Sequence, residues 1–179
     1  MFARVVAAAI VTLAVSTPAW AQPSNMETFR DVQQQVLRYP HFTVFDSIHA
    51  NVDDGVVRLT GKVTMPYKRD DIARRVGRVA GVSTVVNDIE VLPVSQFDDE
   101  LRFRIARALY GNSNFWRYGS MVNPPIHIIV EHGRVTLEGV VNSNVDRMLA
   151  RSIASSFDAF EVTNNLKTDA EAKAELEKI

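Results

Sequence analysis

The strongest constraint on how this chain can fold is a repeat of one ten-residue pattern. Residues 54–63 read DGVVRLTGKV, and residues 132–141, which lie 78 positions further on, read HGRVTLEGVV. In both copies apolar and polar side chains alternate, which is typical of a β-strand with one buried face. The repeat therefore indicates that one small structural unit occurs twice.

Each copy is interpreted as the second strand of a hairpin, because alternating residues also precede it. The motifs DDG and EHG are the predicted turns. Gly55 and Gly133 are expected to supply a positive φ there, where a side chain would be strained. Gly61 and Gly139 lie on the inward side of the second strands, where a missing side chain lets another backbone or a ligand approach. A crossing helix is the favoured neighbour at these two positions.

Helical spacing of apolar residues precedes and follows each hairpin. A further strand pattern then ends each unit, GVSTVVNDIEV at residues 81–91 and DAFEVTNNLKT at residues 158–168. Since a helix joins the second and third strands, this pair is predicted to be parallel, with a right-handed crossover. The predicted fold class is α+β: two tandem small domains, each helix-strand-strand-helix-strand, with two helices packed on one face of a three-stranded mixed sheet. The predicted inner residues of the helix after the second hairpin are Val145, Met148, Leu149, Ile153 and Ala154.

The chain begins with the pattern of a secretory signal peptide. One positive charge at Arg4 is followed by an apolar run and by Ala19-Trp20-Ala21, which fits an A-x-A cleavage site. We expect cleavage after Ala21, with an uncleaved anchor as the alternative. The predicted divisions are a signal peptide at residues 1–21, a first domain at 26–93, a second at 97–168 and a tail at 169–179, which is either frayed or docked.

The two repeated units resemble the BON domain, a module often found in tandem in bacterial envelope proteins. The resemblance rests on GVVRLTGKV, GRVTLEGVV and the ending GVSTVVNDIEV, and it covers residues 26–168. The second copy departs from the pattern by reading Phe-Asp-Ala-Phe at residues 157–160 and by carrying about six extra residues before its hairpin. The resemblance implies a periplasmic or secreted protein that binds phospholipid or other envelope components.

Composition and motifs exclude several other classes. The chain contains no cysteine, so a lipidated cysteine, a disulfide framework and a thiolate nucleophile are all excluded. Loss of Arg4 with the signal peptide takes the net charge from −1 to −2, which gives no reason to expect a nucleic-acid partner. We find no pattern for catalysis, a cofactor or a metal. The four histidines, His41, His49, His127 and His132, are interpreted as surface residues.

The helix after the first hairpin carries a local excess of positive charge. Its five basic residues face only Asp70 and Asp71, whereas the matching helix of the second unit is nearly neutral. Such a face would attract anionic headgroups by about 1 kcal/mol per basic residue. The alternative is a solvated helix face with an Asp71–Arg75 pair. The basic residues are Lys68, Arg69, Arg74, Arg75 and Arg78.

The insertion before the second hairpin, YGNSNFWRYGS at residues 110–120, concentrates aromatic residues in a predicted loop. Trp and Tyr are suited to a membrane interface or a protein contact, because each has an apolar body and a polar tip. Inward packing of Trp116 or Phe115 to close the core is an equal alternative. The candidate contact residues are Phe103, Phe115, Trp116, Arg117 and Tyr118.

The leading hypothesis is a non-enzymatic periplasmic protein that binds an anionic phospholipid membrane surface or an envelope protein and supports envelope integrity. The alternative is a chaperone-like or adaptor protein that binds other proteins through an edge strand or through the aromatic residues. An enzyme or metal protein is the least favoured class. The oligomeric state does not follow from the sequence.

Overall fold

The structure is a computed structural model that describes residues 23–177. The predicted signal peptide at residues 1–21 lies outside the described residues. Among residues 23–177, no helix is both long and apolar enough to cross a membrane. The elements of the first unit are α1 (Asn25–Leu37), β1 (Ser47–Asp53), β2 (Val56–Val63), α2 (Pro66–Val76) and β3 (Thr84–Val91).

The second unit repeats this order and adds short helices. The insertion forms a 3₁₀ turn at Ser113–Phe115 followed by one turn of α-helix, and the tail forms a helix as well. The elements of the second unit are α3 (Gln96–Tyr110), α4 (Trp116–Gly119), β4 (Ile126–Glu131), β5 (Arg134–Val141), α5 (Asn144–Ala154), β6 (Glu161–Thr168) and α6 (Asp169–Leu176).

Each unit contains a three-stranded mixed sheet in sequence order. In the first unit, β1 pairs antiparallel with β2, and β2 pairs parallel with β3. In the second unit, β4 pairs antiparallel with β5, and β5 pairs parallel with β6. The helices of each unit pack against its sheet around a separate apolar core. The predicted α+β fold with two tandem units and mixed sheets is confirmed.

The two hairpin turns have the same backbone conformation. Asp54 and Gly55 have φ of +43° and +78°, and His132 and Gly133 have φ of +52° and +72°. Positive φ at both central residues of a two-residue loop defines a type I′ turn, whose twist matches that of the flanking strands. Hydrogen bonds from α3 also hold the second turn. The carboxylate of Asp98 accepts hydrogen bonds from the backbone N–H groups of His132 at 2.9 Å and Gly133 at 2.7 Å.

Gly61 and Gly139 face a strand rather than a helix. Their φ values are +116° and +117°. A Cβ placed on Gly61 would lie 2.1 Å from the carbonyl oxygen of Ser47, and one on Gly139 would lie 1.8 Å from that of Pro125. The expectation of a crossing helix is therefore wrong, since the backbone at the start of the paired strand is what excludes a side chain.

The recurrent asparagine of the third strand fastens that strand to the crossover helix. The side-chain amide of Asn87 donates to the carbonyl of Arg69 at 3.2 Å, and that of Asn164 donates to the carbonyl of Arg147 at 2.9 Å. Each asparagine also accepts the backbone N–H two residues later. This explains why the final motif of each unit contains an asparagine.

The inner face of α5 matches the prediction only in part, because Ala154 is buried and Leu149 and Ile153 pack against the core. Val145 and Met148 are exposed, and the buried positions are Asp146, Ala150 and Ala154. These three lie four residues apart and form one stripe, so the phase of the helix follows the small alanines and a buried carboxylate. The two apolar side chains predicted to point inward point to solvent instead.

The tail is docked as helix α6. Thr168 and Glu171 form a reciprocal capping box at its N-terminus. The Glu171 carboxylate also accepts a hydrogen bond from Arg147 of α5 at 3.1 Å. Because the helix has only eight residues, these contacts supply order that its length alone would not.

The two units contact each other through the segment that precedes β1. The backbone N–H of Ile128 donates to the carbonyl of Val44 at 2.7 Å, so this segment covers part of the open edge of β4. Phe45 packs against the core of the second unit and meets Phe103 edge-to-face at 5.1 Å. Lys62 of β2 forms an ion pair with Glu131 of β4. The units therefore share both apolar and polar contacts.

Candidate functional site

Most of the predicted basic face lies at the surface of α2 and of the turn that follows it. Arg74 and Arg78 are exposed, and Arg69 and Arg75 are half-buried. Lys68 departs from the prediction because it is buried. The buried positions of α2 are 68, 72 and 76, four residues apart, so Lys68 lies on the inner stripe of the helix. This spacing was already readable in the sequence.

Lys68 takes part in a buried polar cluster centred on Asp46. Its ammonium group donates to the Asp46 carboxylate and to the Thr64 hydroxyl, each at 2.7 Å. Asp46 also accepts the backbone N–H and hydroxyl groups of Thr43 and Thr64, at 2.8 to 2.9 Å. The cluster is satisfied by its own hydrogen bonds, so its role is structural.

The surface arginines line a concave site between the end of α1 and the second half of α2. The cavity has a volume of about 440 Å³, within the range of small-ligand sites. Its lining residues are Gln35, Tyr39, Pro40, His41, Asp71, Arg74, Arg75 and Arg78. The three arginines were predicted from the sequence, whereas Gln35, Tyr39 and His41 join them only through the packing of α1 against α2.

Tyr39 organises one wall of this basic pocket. Its hydroxyl donates to the Asp71 carboxylate at 2.7 Å, and burial, aided by this hydrogen bond, raises the pKa of Tyr39 so that the hydroxyl stays protonated. The Arg75 guanidinium lies over the Tyr39 ring, 5.1 Å from its centre, a cation–π contact that holds the cation in place. His41 meets the same ring edge-on at 5.6 Å.

The pocket carries an excess of positive charge. Asp71 forms an ion pair with Arg74, in place of the predicted pair with Arg75. Across the described part of the chain, neither Arg75 nor Arg78 forms an ion pair with a carboxylate. Three guanidinium groups and one carboxylate, with His41 not counted, give the lining a net charge of +2. Such a site is suited to an anion.

The aromatic insertion divides between the core and the surface. Phe115 and Tyr118 are fully buried in the core of the second unit, so they are not surface contacts. Trp116 is 73% exposed. The Tyr118 hydroxyl donates to Asp146 at 2.8 Å, and Arg117 forms an ion pair with the same carboxylate. The insertion therefore closes the core with two rings and leaves one at the surface.

Exposed apolar residues accompany Trp116. Met121 and Val122 follow it in the chain, and Val122 is 97% exposed. Val145 and Met148 project from the first turns of α5, next to Asp146, which anchors the insertion through Arg117. Phe103 is exposed as well but partly engaged by Phe45. Sequence reasoning missed Val145 and Met148 because their spacing also fits a buried stripe.

Two histidines lie between the units, where His49 is exposed as predicted and His127 is largely buried, so the surface interpretation is wrong for His127. His49 is 3.0 Å from the Glu138 carboxylate, which also accepts the Ser47 hydroxyl. The hydrogen bond from His49 lowers the pKa of Glu138 to about 2, and the same bond raises the pKa of His49. His127 packs against Phe42 with ring centres 5.3 Å apart, and burial lowers its pKa. Both histidines serve the inter-unit contact.

No group of histidine and carboxylate side chains able to hold a metal ion occurs between residues 23 and 177. Acidic side chains from two of the acidic pairs have other contacts. Asp98 accepts hydrogen bonds from a hairpin turn, and Asp71 forms an ion pair with Arg74. The basic pocket, by contrast, is lined by three arginines.

Comparison with known proteins identifies the repeated unit. The BON domain matches at residues 29–93 and again at residues 98–170. No match was found among curated proteins. Two solved structures of CdsD, a structural protein of the type III secretion system of Chlamydia trachomatis, are similar at low level. One is 14% identical over 84% of this chain and 97% of that chain, with a TM-score of 0.29. The other, a C-terminal domain, is 13% identical over 76% and 94%, with a TM-score of 0.28.

BON domains are associated with envelope or periplasmic proteins, are generally linked to phospholipid or membrane binding, and are generally non-enzymatic. The two matches cover most of the described residues and coincide with the two folded units. The chain therefore belongs to the BON domain family, with two copies in tandem.

Proposed function

We propose that this protein binds anionic phospholipid surfaces of the bacterial envelope and thereby supports envelope integrity, without catalysing a reaction. It acts in the periplasm after export by a cleaved signal peptide. The observation that carries the proposal is the basic pocket, where Arg75 and Arg78 lie at the surface without a carboxylate partner among residues 23–177. Cations of this kind near an anionic membrane are worth about 1 kcal/mol each.

A second contact is supplied by the exposed apolar residues of the second unit. Trp116 lies on the short insertion, Val122 follows it, and Val145 and Met148 lie on the helix that anchors it. An exposed tryptophan is suited to the boundary between headgroups and acyl chains. The basic and apolar contacts thus come from different units of one chain.

Charge removal in the pocket tests the electrostatic part of the proposal. The double variant Arg75→Gln/Arg78→Gln, in a chain lacking residues 1–21, is expected to bind anionic vesicles about 30-fold more weakly at low salt, because two cations are lost at about 1 kcal/mol each. The measurement is vesicle co-sedimentation at low and at high ionic strength, where the difference between the chains should shrink.

The matched control for this variant is Arg107→Gln/Arg134→Gln, which removes the same charge from the second unit. Arg107 is exposed without an ion-pair partner in the described structure, and Arg134 pairs only with exposed Glu161. Vesicle binding should stay within about threefold of the unmodified chain. Equal loss in both variants would mean that net charge, rather than the pocket, governs binding. Failure of the unmodified chain to bind anionic vesicles would remove the proposal altogether.

Trp116→Ala is expected to weaken vesicle binding by about tenfold at every salt concentration, because the lost term is apolar burial and is not screened. Phe160→Ala is the control, since Phe160 is equally exposed but stands beside Gly133, at the opposite end of β5 from Asn142 and Tyr118. The same co-sedimentation assay measures both. A loss that appears only at low salt would contradict the assignment of Trp116 to an apolar contact.

The adaptor function is supported by a different observation. β3 and β6 are the outer strands of their sheets, and neither pairs with another strand on its outer side among residues 23–177. An extended peptide could add to such an edge. Two results together would favour this function over membrane binding. The chain would fail to bind vesicles, and it would lose partner binding when proline replaces a residue of β3 whose N–H group points outward.

A further inference from the structure

We propose that the basic pocket of the first unit is a receptor for a terminal phosphate group, that is, a phosphomonoester. The inference rests on the proposed function in that it assigns a ligand class to the same surface. It goes further because a general attraction between cations and a charged membrane would not distinguish one anionic headgroup from another.

The first argument is the position of the Arg75 guanidinium group, which contacts with its neighbours hold in place. Arg75 is held over the Tyr39 ring, and Tyr39 is buried and hydrogen-bonded to Asp71. Arg78 lines the same cavity and lies three residues further along the chain from Arg75. Because guanidinium groups donate in a planar fork that matches phosphate oxygens, a held arginine recognises phosphate by geometry as well as charge.

The second argument is the charge that remains uncompensated. Asp71 is engaged by the Tyr39 hydroxyl and by Arg74, so its charge and that of Arg74 offset each other. Arg75 and Arg78 are left, with a combined charge of +2. A terminal phosphate carries close to two negative charges at neutral pH, whereas a phosphodiester carries one. The match in charge therefore favours the monoester.

The third argument is the shape of the cavity. It is bounded by the end of α1 and the turn after it on one side and by α2 on the other, and Gln35 and His41 add polar groups to the arginines. A volume of about 440 Å³ accommodates a phosphate with the first atoms of its alcohol. A bound phosphomonoester has one ester-linked chain that must extend out of the cavity, whereas a bound phosphodiester has two.

The fourth argument comes from the duplication itself. The positions of the second unit that correspond to Arg74, Arg75 and Arg78, 78 residues later, are Ser152, Ile153 and Ser156. The same fold is therefore built without these cations. Since the arginines are not needed for the helix to pack, their presence in the first unit requires another explanation, and a ligand supplies it.

The shared chemistry of the ligand could come from a lipid or from a soluble compound. The first arm of the test therefore compares vesicles of phosphatidylcholine containing phosphatidic acid with vesicles containing phosphatidylglycerol, adjusted to equal zeta potential. We expect about tenfold tighter binding to phosphatidic acid. The second arm titrates glycerol 3-phosphate and inorganic phosphate and follows the arginine side-chain N–H signals by NMR.

The decisive variant is Arg75→Lys/Arg78→Lys, which keeps both charges and removes both forks. Its preference for phosphatidic acid should fall below about twofold while binding to phosphatidylglycerol stays within about threefold of the unmodified chain. Thermal unfolding checks that the variant is folded. Equal binding of the unmodified chain to both lipids, with no response to soluble phosphates, would overturn the inference and leave the proposed function standing. Arginine signals that shift with glycerol 3-phosphate in the absence of vesicle binding would support the inference for a soluble ligand and reject the proposed membrane function.

Discussion

Gly139→Val is expected to unfold the second unit at 25 °C. Gly139 has a φ of +117°, and a Cβ there would lie 1.8 Å from the carbonyl oxygen of Pro125. The strained backbone alone costs about 1–3 kcal/mol, and the clash with a backbone atom of the paired strand adds to it because no side chain can move aside. A small domain has about 5 kcal/mol to lose.

Urea unfolding followed by Trp116 fluorescence reports on the second unit. The matched control is Gly77→Ala, because Gly77 ends α2 with a φ of −64° and its added Cβ would meet no atom closer than 3.4 Å. We expect the control to change stability by less than about 1 kcal/mol. A Gly139→Val chain with an unchanged unfolding midpoint would mean that the close approach to Pro125 is not required by the fold.

The second large effect is expected for Asp46→Ala. This change removes five hydrogen-bond acceptor contacts and leaves the Lys68 ammonium buried without its partner. Breaking one side of a buried ion pair costs about 3–5 kcal/mol, so the first unit should be largely destabilised. Lys68→Met should cost less, about 1–2 kcal/mol, because Thr43 and Thr64 continue to satisfy the carboxylate.

The order of the two variants tests the interpretation of this cluster. Thermal and urea unfolding of Asp46→Ala, Lys68→Met and the double variant give the coupling between the two side chains. If Lys68→Met were the more destabilising change, the cluster would depend on the cation rather than on the hydrogen bonds that surround Asp46. Exposed Arg58→Met provides a baseline for replacing a surface cation of the same unit, and it should be nearly neutral.

The repeated strands show how much of the fold local sequence patterns predict. Alternation of apolar residues, the two turn glycines and the helical spacing predicted the element order, the mixed sheets and the two units. These features depend on neighbours in the chain, whose periodicity is fixed by strand and helix geometry. Val145 and Met148 show where local patterns fail, because two faces of α5 were nearly equal in apolar content. The face that contains Asp146 is the buried one, since Arg117 and Tyr118 contact its carboxylate.

The candidate site was only partly predictable for the same reason. The arginines of the pocket lie close together in the sequence, and their excess of charge was visible there. Tyr39 and His41 come from about 35 residues earlier, and nothing in their spacing shows that they line the same cavity. Lys68 was counted with the basic face although its helical position, four residues before Ile72, is buried.

By itself the sequence determined that one α+β unit is built twice, because periodicity and glycine positions act over a few residues. Tertiary structure decided which side chains of those units meet. It buried Phe115 and Tyr118 while leaving Trp116 at the surface, and it neutralised Arg74 while leaving Arg75 and Arg78 without a carboxylate among the described residues. The physical reason is that burial and ion pairing depend on distances between segments far apart in the chain, which no local pattern records.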